Sequence, residues 1–412
     1  MSGAPRFGLQ AKLLSPAAVR AVGEPLFRLF GRRPNDTPAP RDYRSILVVR
    51  LDEIGDVVLS TGMLRELRRN WPQAHITLVV KPAVFNLVEL CPHVNEVLTF
   101  DRQYFGRRFG LLTRHRRALR LARTKLWSRR FDVAINPRRG VDYYHGDILT
   151  YLSGAPRRIG MQNAIGEPET SDLLTIRLPP CGERHEALCN LETVKALGGE
   201  VGDESLELWL SDDDRRKAAS LLNDSGVAAN APFVVVAPGA GAAQLVWPLE
   251  RSIDAAKQIS ADCDLRIVVV GGTDDRAYGA RFVQASAETT DLTGKLSLRE
   301  TAAVIERARL FLGNDSGPLH LAAAVGTPTI EISSCSPAAP HQHVNSPARF
   351  GPWQVPSIVL QPDHAEPPCV GACSAATAHC ILQISVDEVV AAIKTMLART
   401  AAPLTAHAGQ HA

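Results

Sequence analysis

Twice along this chain, short apolar runs alternate with longer amphipathic stretches, and few folds accommodate that pattern. A buried parallel strand reads as a continuous apolar run, and the return to the next parallel strand needs a crossover helix. Ile46–Leu51, Ile76–Val80, Val94–Phe100 and Val133–Asn136 read as strands. Helices are predicted between and after them at Val57–Asn70, Ala83–Leu90, Leu111–Arg129 and His185–Leu197. Gly198-Gly199 stops the last of these. After the acidic turn Ser211-Asp212-Asp213-Asp214 the alternation restarts, with strands at Phe233–Ala237, Arg266–Gly271, Leu310–Leu312 and Thr329–Ile332.

The fold class is therefore α/β, with two doubly wound parallel-sheet domains. A chain of 412 residues is long enough for two cores of ordinary size. The boundaries read as an arm over 1–44, a first domain over 45–205, a second over 206–384, and a closing helix with a tail over 385–412. The helix Val386–Leu397 is expected to cross back to the first domain. The arm is rich in proline, yet Ala17–Phe30 mixes Val19, Val22, Leu26, Phe27, Leu29 and Phe30 with Arg20 and Arg28. That pattern suits either a basic amphipathic helix at a lipid interface or an arm packed on its own domain.

Charge and cysteine content bear on partners and compartment. With 46 basic against 43 acidic residues, no global field points to nucleic acid. No secretory leader and no apolar run of about 20 residues is evident, so a cytoplasmic protein is expected. Eight cysteines are too dilute for a disulfide scaffold and fit a reducing compartment, most of them as buried thiols. Cys369, Cys373 and Cys380, with His364 and His379 nearby, fit no familiar zinc spacing, so no metal ligand and no cofactor are expected. Locally, Arg102–Arg130 holds eleven Lys or Arg and no acid. Such a face is either merely solvated or attracts anionic headgroups and phosphorylated glycans.

Ligands of open parallel sheets lie beyond the carboxyl ends of the strands. After the first strand comes Asp52-Glu53-Ile54-Gly55-Asp56, where Gly55 admits a close backbone approach and Asp56 opens a helix. The helix end should keep Asp56 ionised and able to take a proton from a hydroxyl, although Asp is also an ordinary cap. In the second half Gly313-Asn314-Asp315-Ser316-Gly317-Pro318-Leu319-His320 follows a strand and opens a helix, an anion site in which Ser316, Gly317 and His320 could face one pyrophosphate. Pro238-Gly239-Ala240-Gly241 and Gly271-Gly272-Thr273-Asp274 are further turns after strands, with Asp274 placed for a ribose diol. No P-loop and no full dinucleotide fingerprint is present.

The order of these motifs resembles glycosyltransferase family 9, the heptosyltransferases of lipopolysaccharide core assembly. The resemblance is carried by Ile46–Pro72 with Ile54-Gly55-Asp56, by Ser153-Gly154-Ala155-Pro156-Arg157-Arg158-Ile159-Gly160, by Asp291-Leu292-Thr293-Gly294-Lys295 and by Gly313–Gly326. It implies a GT-B arrangement of two Rossmann-like domains facing across a cleft, inversion at the anomeric carbon, no metal ion, and ADP-heptose or a related nucleotide sugar as donor. The implied acceptor is a lipopolysaccharide core, a lipid-linked oligosaccharide or another glycan, met at the inner face of the membrane. By motif, Asp56 would be the general base. Asp315, Ser316, Gly317 and His320 would hold donor phosphate and sugar, Asp274 the ribose, and Lys295 would lie near the base. The chain departs from the family at Leu245 in Gln244-Leu245-Val246-Trp247-Pro248, where a basic residue is usual. A catalytically silent binding homologue and a nucleotide-sugar epimerase are the alternatives on the same architecture.

Overall fold

The computed structural model describes residues 42–101, 110–139, 145–162, 171–339, 345–369 and 375–401, with residue 142 and a few positions between 20 and 25. The chain divides into two compact units, Met1–Glu204 and Ser205–Ala412.

The first unit is built on β1 (Ser45–Arg50), β2 (His75–Val80), β3 (Glu96–Thr99), β4 (Val133–Asn136), β5 (Arg157–Met161) and β6 (Ile176–Leu178). Its helices are α1 (Ile54–Val58), α2 (Thr61–Asn70), α3 (Phe85–Val88), α4 (Gly110–Leu121), α5 (Gly146–Leu152) and α6 (Glu186–Ala196). The second unit has β7 (Phe233–Ala237), β8 (Arg266–Val269), β9 (Thr289–Asp291), β10 (Leu310–Asn314), β11 (Thr329–Ile332) and β12 (Ser357–Leu360). Around them lie α7 (Asp212–Asp224), α8 (Leu249–Cys263), α9 (Arg276–Ala285), α10 (Leu298–Glu306), α11 (Gly317–Ala324), α12 (Pro347–Phe350) and α13 (Val386–Ala401).

Both sheets are six-stranded, in the orders β3-β2-β1-β4-β5-β6 and β12-β11-β10-β7-β8-β9, and their pairings are parallel. In each, the first strand of the unit lies centrally and the order reverses beside it, between β1 and β4 and between β7 and β10. Those reversal points are where doubly wound sheets bind ligands. The central strands are apolar and buried along nearly their whole length. Leu47, Val49, Phe100, Ala118, Phe131 and Leu149 belong to one core, and Val234, Ile267, Phe282, Leu312 and Ile330 to another.

Several elements differ from their sequence reading. The stretch expected as one helix from Val57 to Asn70 is broken at Leu59-Ser60. There Asn190 Nδ2 donates to the Leu59 carbonyl at 2.8 Å, and Ser60 Oγ donates to the Asp56 carbonyl at 2.7 Å. Side chains thus take acceptors that a continuous helix would use itself. The helix expected over Leu111–Arg129 is α4 followed by a π turn at Ala122–Leu126 and a short 3-10 turn, ending at left-handed Arg130. The strands β5, β6, β9 and β12 are too short or too polar to stand out as apolar runs. The closing helix α13, read as one that crosses back to the first domain, packs within the second unit. Val389, Val390, Ile393 and Met396 join the second core, against α8 and β12. Cys181 is paired with Cys189 in the first turn of α6, Cys91, Cys335, Cys369 and Cys380 are buried thiols, and Cys373 lies outside the described residues.

Of the eleven cations between Arg102 and Arg130, Arg102, Arg107 and Arg108 lie outside the described residues. Arg114 is buried beside His145, Arg117 pairs with Asp101 at 3.5 Å, and Arg129 pairs with Glu96 at 2.7 Å. Arg116, Arg120, Arg123, Lys125 and Arg130 are exposed. No described helix is long and apolar enough to cross a membrane. The amphipathic reading of Ala17–Phe30 falls mostly outside the described residues.

Candidate functional site

Beyond β1 the chain places a buried knot of charge. Arg50 is the last residue of an otherwise apolar strand and is only 1% exposed. Its guanidinium lies 3.6 Å from Asp52, 3.5 Å from Asp56 and 3.7 Å from Glu186, and its Nε donates to the Asp56 carbonyl at 3.2 Å. Arg138, which follows β4 across the reversal point, pairs with Asp52, and Arg139 lies 3.8 Å from Glu186. Glu186 opens α6, and Asn190, one turn later, reaches the break between α1 and α2. One face of α6 therefore supports both the charge partner and the backbone of the loop that carries Asp56.

Asp56 does not sit at the helix cap as the sequence suggested. Glu53 is the cap, and Asp56, three residues in, accepts the Glu53 N–H through Oδ2 at 3.2 Å. The other oxygen shares Arg50 with two further carboxylates. Burial raises its pKa to about 6, reinforced by Asp52 and Glu186 and opposed by Arg50 and Arg138. The expected pull of the helix end toward a strongly ionised Asp56 is thus outweighed, because the helix is five residues long and desolvation opposes it. About a quarter of the side chain, 26%, still meets solvent. A carboxylate with a pKa near 6 and an open face suits proton abstraction better than an ordinary aspartate. Gly55 is buried one residue before it.

In the second unit, the turns after β7, β8, β9 and β10 bring the remaining residues to the same end of one sheet. Asn314 closes β10 and is 2% exposed. Its Oδ1 accepts the Trp247 N–H at 3.0 Å and its Nδ2 donates to the Pro238 carbonyl at 2.8 Å. One amide thereby joins the loops on both sides of the reversal point. Ser316 is the extended cap of α11, with Gly317 and Pro318 in the first turn. The Ser316 hydroxyl is buried without a hydrogen-bond partner among the described residues, as are those of Ser334 and Ser336 beyond β11. His320 is 4% exposed and turns Nε2 toward Asp315 at 3.9 Å. Behind them Glu331 is 1% exposed, and burial, then Asp315, push its pKa well above the carboxylate range. Both effects favour its neutral form over the carboxylate.

The glycines of this end have different reasons. A Cβ at Gly239 would lie 2.2 Å from Asp275 Oδ1, and one at Gly271 would lie 2.5 Å from its Oδ2. Asp275, whose Oδ2 accepts the Gly272 N–H at 2.8 Å, is the acid packed into these turns, while its neighbour Asp274 is exposed. Gly241 has open space around it. Gly294 has φ +63°, which favours glycine, and its N–H bonds to the Gly271 carbonyl at 2.9 Å. Lys295 donates to the Asp291 carbonyl at 2.6 Å from an exposed position. Leu245 is half-buried on a 3-10 turn before Trp247.

The Ser153–Gly160 motif, in contrast, is built for structure. Arg158 is buried, donates to the carbonyls of Leu173 and Ala155 at 2.7 Å each, and lies over the Tyr151 ring.

The family model of glycosyltransferase family 9 (heptosyltransferase) matches residues 120–374, well over half of the chain. The chain belongs to glycosyltransferase family 9. It is a glycosyltransferase enzyme. Lipopolysaccharide heptosyltransferase 2 of Salmonella typhimurium is 23% identical over 298 residues, covering 70% of this chain and 82% of that protein. Among solved structures, a family 9 glycosyltransferase of Veillonella parvula aligns with TM-score 0.72 at 24% identity, covering 87% of this chain and 98% of its own. The Escherichia coli ADP-heptose lipopolysaccharide heptosyltransferase II aligns with TM-score 0.65 at 19% identity, over 87% and 100%. The two-unit fold is the GT-B fold of this family. The span matched by the family model takes in Asp274, Gly294, Lys295, Asp315, Ser316, Gly317 and His320, and begins beyond Asp56.

Sequence reasoning missed Arg50, Asp52, Arg138, Glu186, Asn190, Asn314, Asp275 and Glu331. A signal existed for Arg50, since a charge that ends a buried parallel strand needs partners inside the protein. Glu331 carried the same signal in the middle of β11.

Proposed function

We propose that this family 9 enzyme moves heptose, or a closely related sugar, from ADP-heptose to a lipopolysaccharide-core or lipid-linked glycan acceptor, with inversion at the anomeric carbon. The reading rests on the Asp56 carboxylate, raised to about 6 at the reversal point of the first sheet. Asp56 takes the proton of the acceptor hydroxyl as that oxygen attacks the anomeric carbon, the bond to the diphosphate breaks, and ADP leaves with the electron pair. Arg50 holds the carboxylate, and Glu186, which shares Arg50 with it, raises its basicity. In the second unit the first-turn amides of α11, Gly317 among them, and the Ser316 hydroxyl receive the departing diphosphate. His320 orients Asp315 toward the sugar, and Glu331 acts as a neutral donor behind it. Gly239 and Gly241 line the approach to the phosphates, Asp274 takes the ribose and Lys295 lies near the adenine.

We infer further that the exposed cations of Arg116–Arg130 hold the enzyme at an anionic surface, which fits a lipid-linked acceptor at the cytoplasmic face of a membrane. Replacing Arg116, Arg120 and Arg123 by Ser should weaken binding to anionic vesicles and remove its salt dependence, leaving transfer to a soluble acceptor fragment intact. Vesicle binding unchanged in that variant would contradict the surface role.

The transfer itself is tested by incubating the enzyme with ADP-heptose and heptose-free core glycolipid, following ADP and acceptor mass together. Gain of one heptose mass with matching ADP release supports the reading. Conversion of the donor without acceptor supports an epimerase, and binding without turnover a silent homologue.

A further inference from the structure

Between β12 and α13, outside both clusters, the chain gathers two thiols and an imidazole. Cys369 is 7% exposed and Cys380 5%, with His379 next to Cys380 on the turn that starts a short 3-10 helix over Cys380–Gln383. One ligand atom from each of Cys369, His379 and Cys380 lies within 4.8 Å of the other two. His379 Nδ1 is 3.4 Å from Cys380 Sγ. A tetrahedral zinc ion, with bonds of about 2.3 Å to sulfur and 2.0 Å to nitrogen, separates two such ligands by roughly 3.5 Å. The other ring nitrogen, Nε2, faces Glu366 Oε2 at 3.9 Å. A carboxylate at that place orients a ligating imidazole and fixes which nitrogen is offered to the metal.

Glu366 is held in turn. Gln383 Nε2 donates to its Oε1 at 3.2 Å and to the His364 carbonyl at 3.0 Å, and the Glu366 N–H points at Cys380 Sγ at 3.5 Å. The spacing along the sequence concealed this group. His379 and Cys380 are adjacent and Cys369 lies on a separate turn, so no familiar zinc pattern is spelled out.

We propose that Cys369, His379 and Cys380 bind a divalent transition-metal ion, zinc by their donor set, and that the ion is structural, fixing the turn that positions Trp247 and the donor loop. The turn after Cys380 is where Trp247 is anchored. Its indole N–H donates to the Ile384 carbonyl at 3.0 Å, and Arg251 Nη1 donates to the carbonyls of Leu382 and Ile384 at 2.6 and 2.9 Å. Through its backbone N–H, Trp247 bonds Asn314, which precedes Asp315 and Ser316. A contiguous set of hydrogen bonds thus runs from the ligand-bearing turn to the end of β10 within one unit. The site does not depend on which sugar the enzyme transfers.

The test uses the full chain, purified without a histidine tag under reducing conditions. Elemental analysis should find close to one zinc per chain. Titrating cobalt into the chelator-stripped protein should give the intense thiolate-to-cobalt absorption and the visible bands of a tetrahedral site. Cys380→Ser should abolish both, and Glu366→Gln, which leaves every ligand in place, should weaken zinc binding about 10- to 100-fold. Cys263→Ser, at the end of α8, should change neither. Stripping zinc should lower Tm and weaken ADP binding, with recovery on adding zinc back. If Cys380→Ser does not fold, the cobalt spectrum of the unmutated chain decides alone. A chain isolated without metal whose cobalt spectrum lacks thiolate absorption, or a Cys369–Cys380 disulfide found in the freshly reduced protein, would overturn the site. Unchanged Tm and ADP affinity after stripping would overturn its structural role.

Discussion

At the scale of single residues, the site turns on how one guanidinium is shared. Arg50 meets three carboxylates at 3.5 to 3.7 Å and offsets only part of what burial, and then Asp52, do to Asp56, whose pKa is raised to about 6. A folded-state pKa above the unfolded value means that ionising Asp56 costs stability, a cost present above pH 6 and absent below the ordinary aspartate range. Asp56→Asn should therefore gain about 1 to 3 kcal/mol at neutral pH, with the gain vanishing near pH 4, while transfer falls about 10²- to 10⁴-fold. Chemical denaturation at two pH values and a rate assay check this, and a variant that loses both stability and rate would make the role of Asp56 structural. The pH profile of kcat/KM should carry an acidic limb near 6, shifted to lower pH in Glu186→Gln because a carboxylate that opposes ionisation is removed. Asp56 was legible in the sequence because glycine and acid after a first strand are local features. Its raised pKa was not, since burial and the approach of Glu186 come only with the fold.

At the scale of elements, side chains from one element hold the backbone of the next. Asn190 on α6 takes the Leu59 carbonyl and lets α1 end where Asp56 needs it. Asn190→Ala should cost about 1 to 3 kcal/mol by leaving a buried acceptor unmade, and should lower kcat more than donor affinity. Asn314 does the corresponding work in the second unit. Asn314→Ala should destabilise by a similar amount, but its functional loss should appear in ADP binding measured by calorimetry, because the loops after β7 and β10 lose their shared amide. The sequence marked Gly313–His320 as a strand followed by a helix start, and the structure has β10 and α11 there. It mislaid the break between α1 and α2, since two tertiary hydrogen bonds overrule a continuous helical pattern.

At the scale of the whole molecule, the same strand order appears twice, each unit with its first strand at the centre and its candidate residues beyond the reversal point. That much was readable because long apolar strands and crossover helices state their periodicity directly. The edge strands β6 and β9 span three residues each and escaped notice. Helix α13 carried no label of destination, as an apolar stripe says only that something must cover it. The family places the enzyme among glycosyltransferases, and what most needs testing is the proposal that Asp56 is the base of a transfer from ADP-heptose. The most direct test is acceptor mass and ADP release for the native chain and Asp56→Asn side by side, with ADP-heptose and heptose-free core glycolipid. The native chain should add one heptose with equimolar ADP release, and a folded Asp56→Asn that still binds ADP should do both about 10²- to 10⁴-fold more slowly. Undiminished transfer by Asp56→Asn would contradict it.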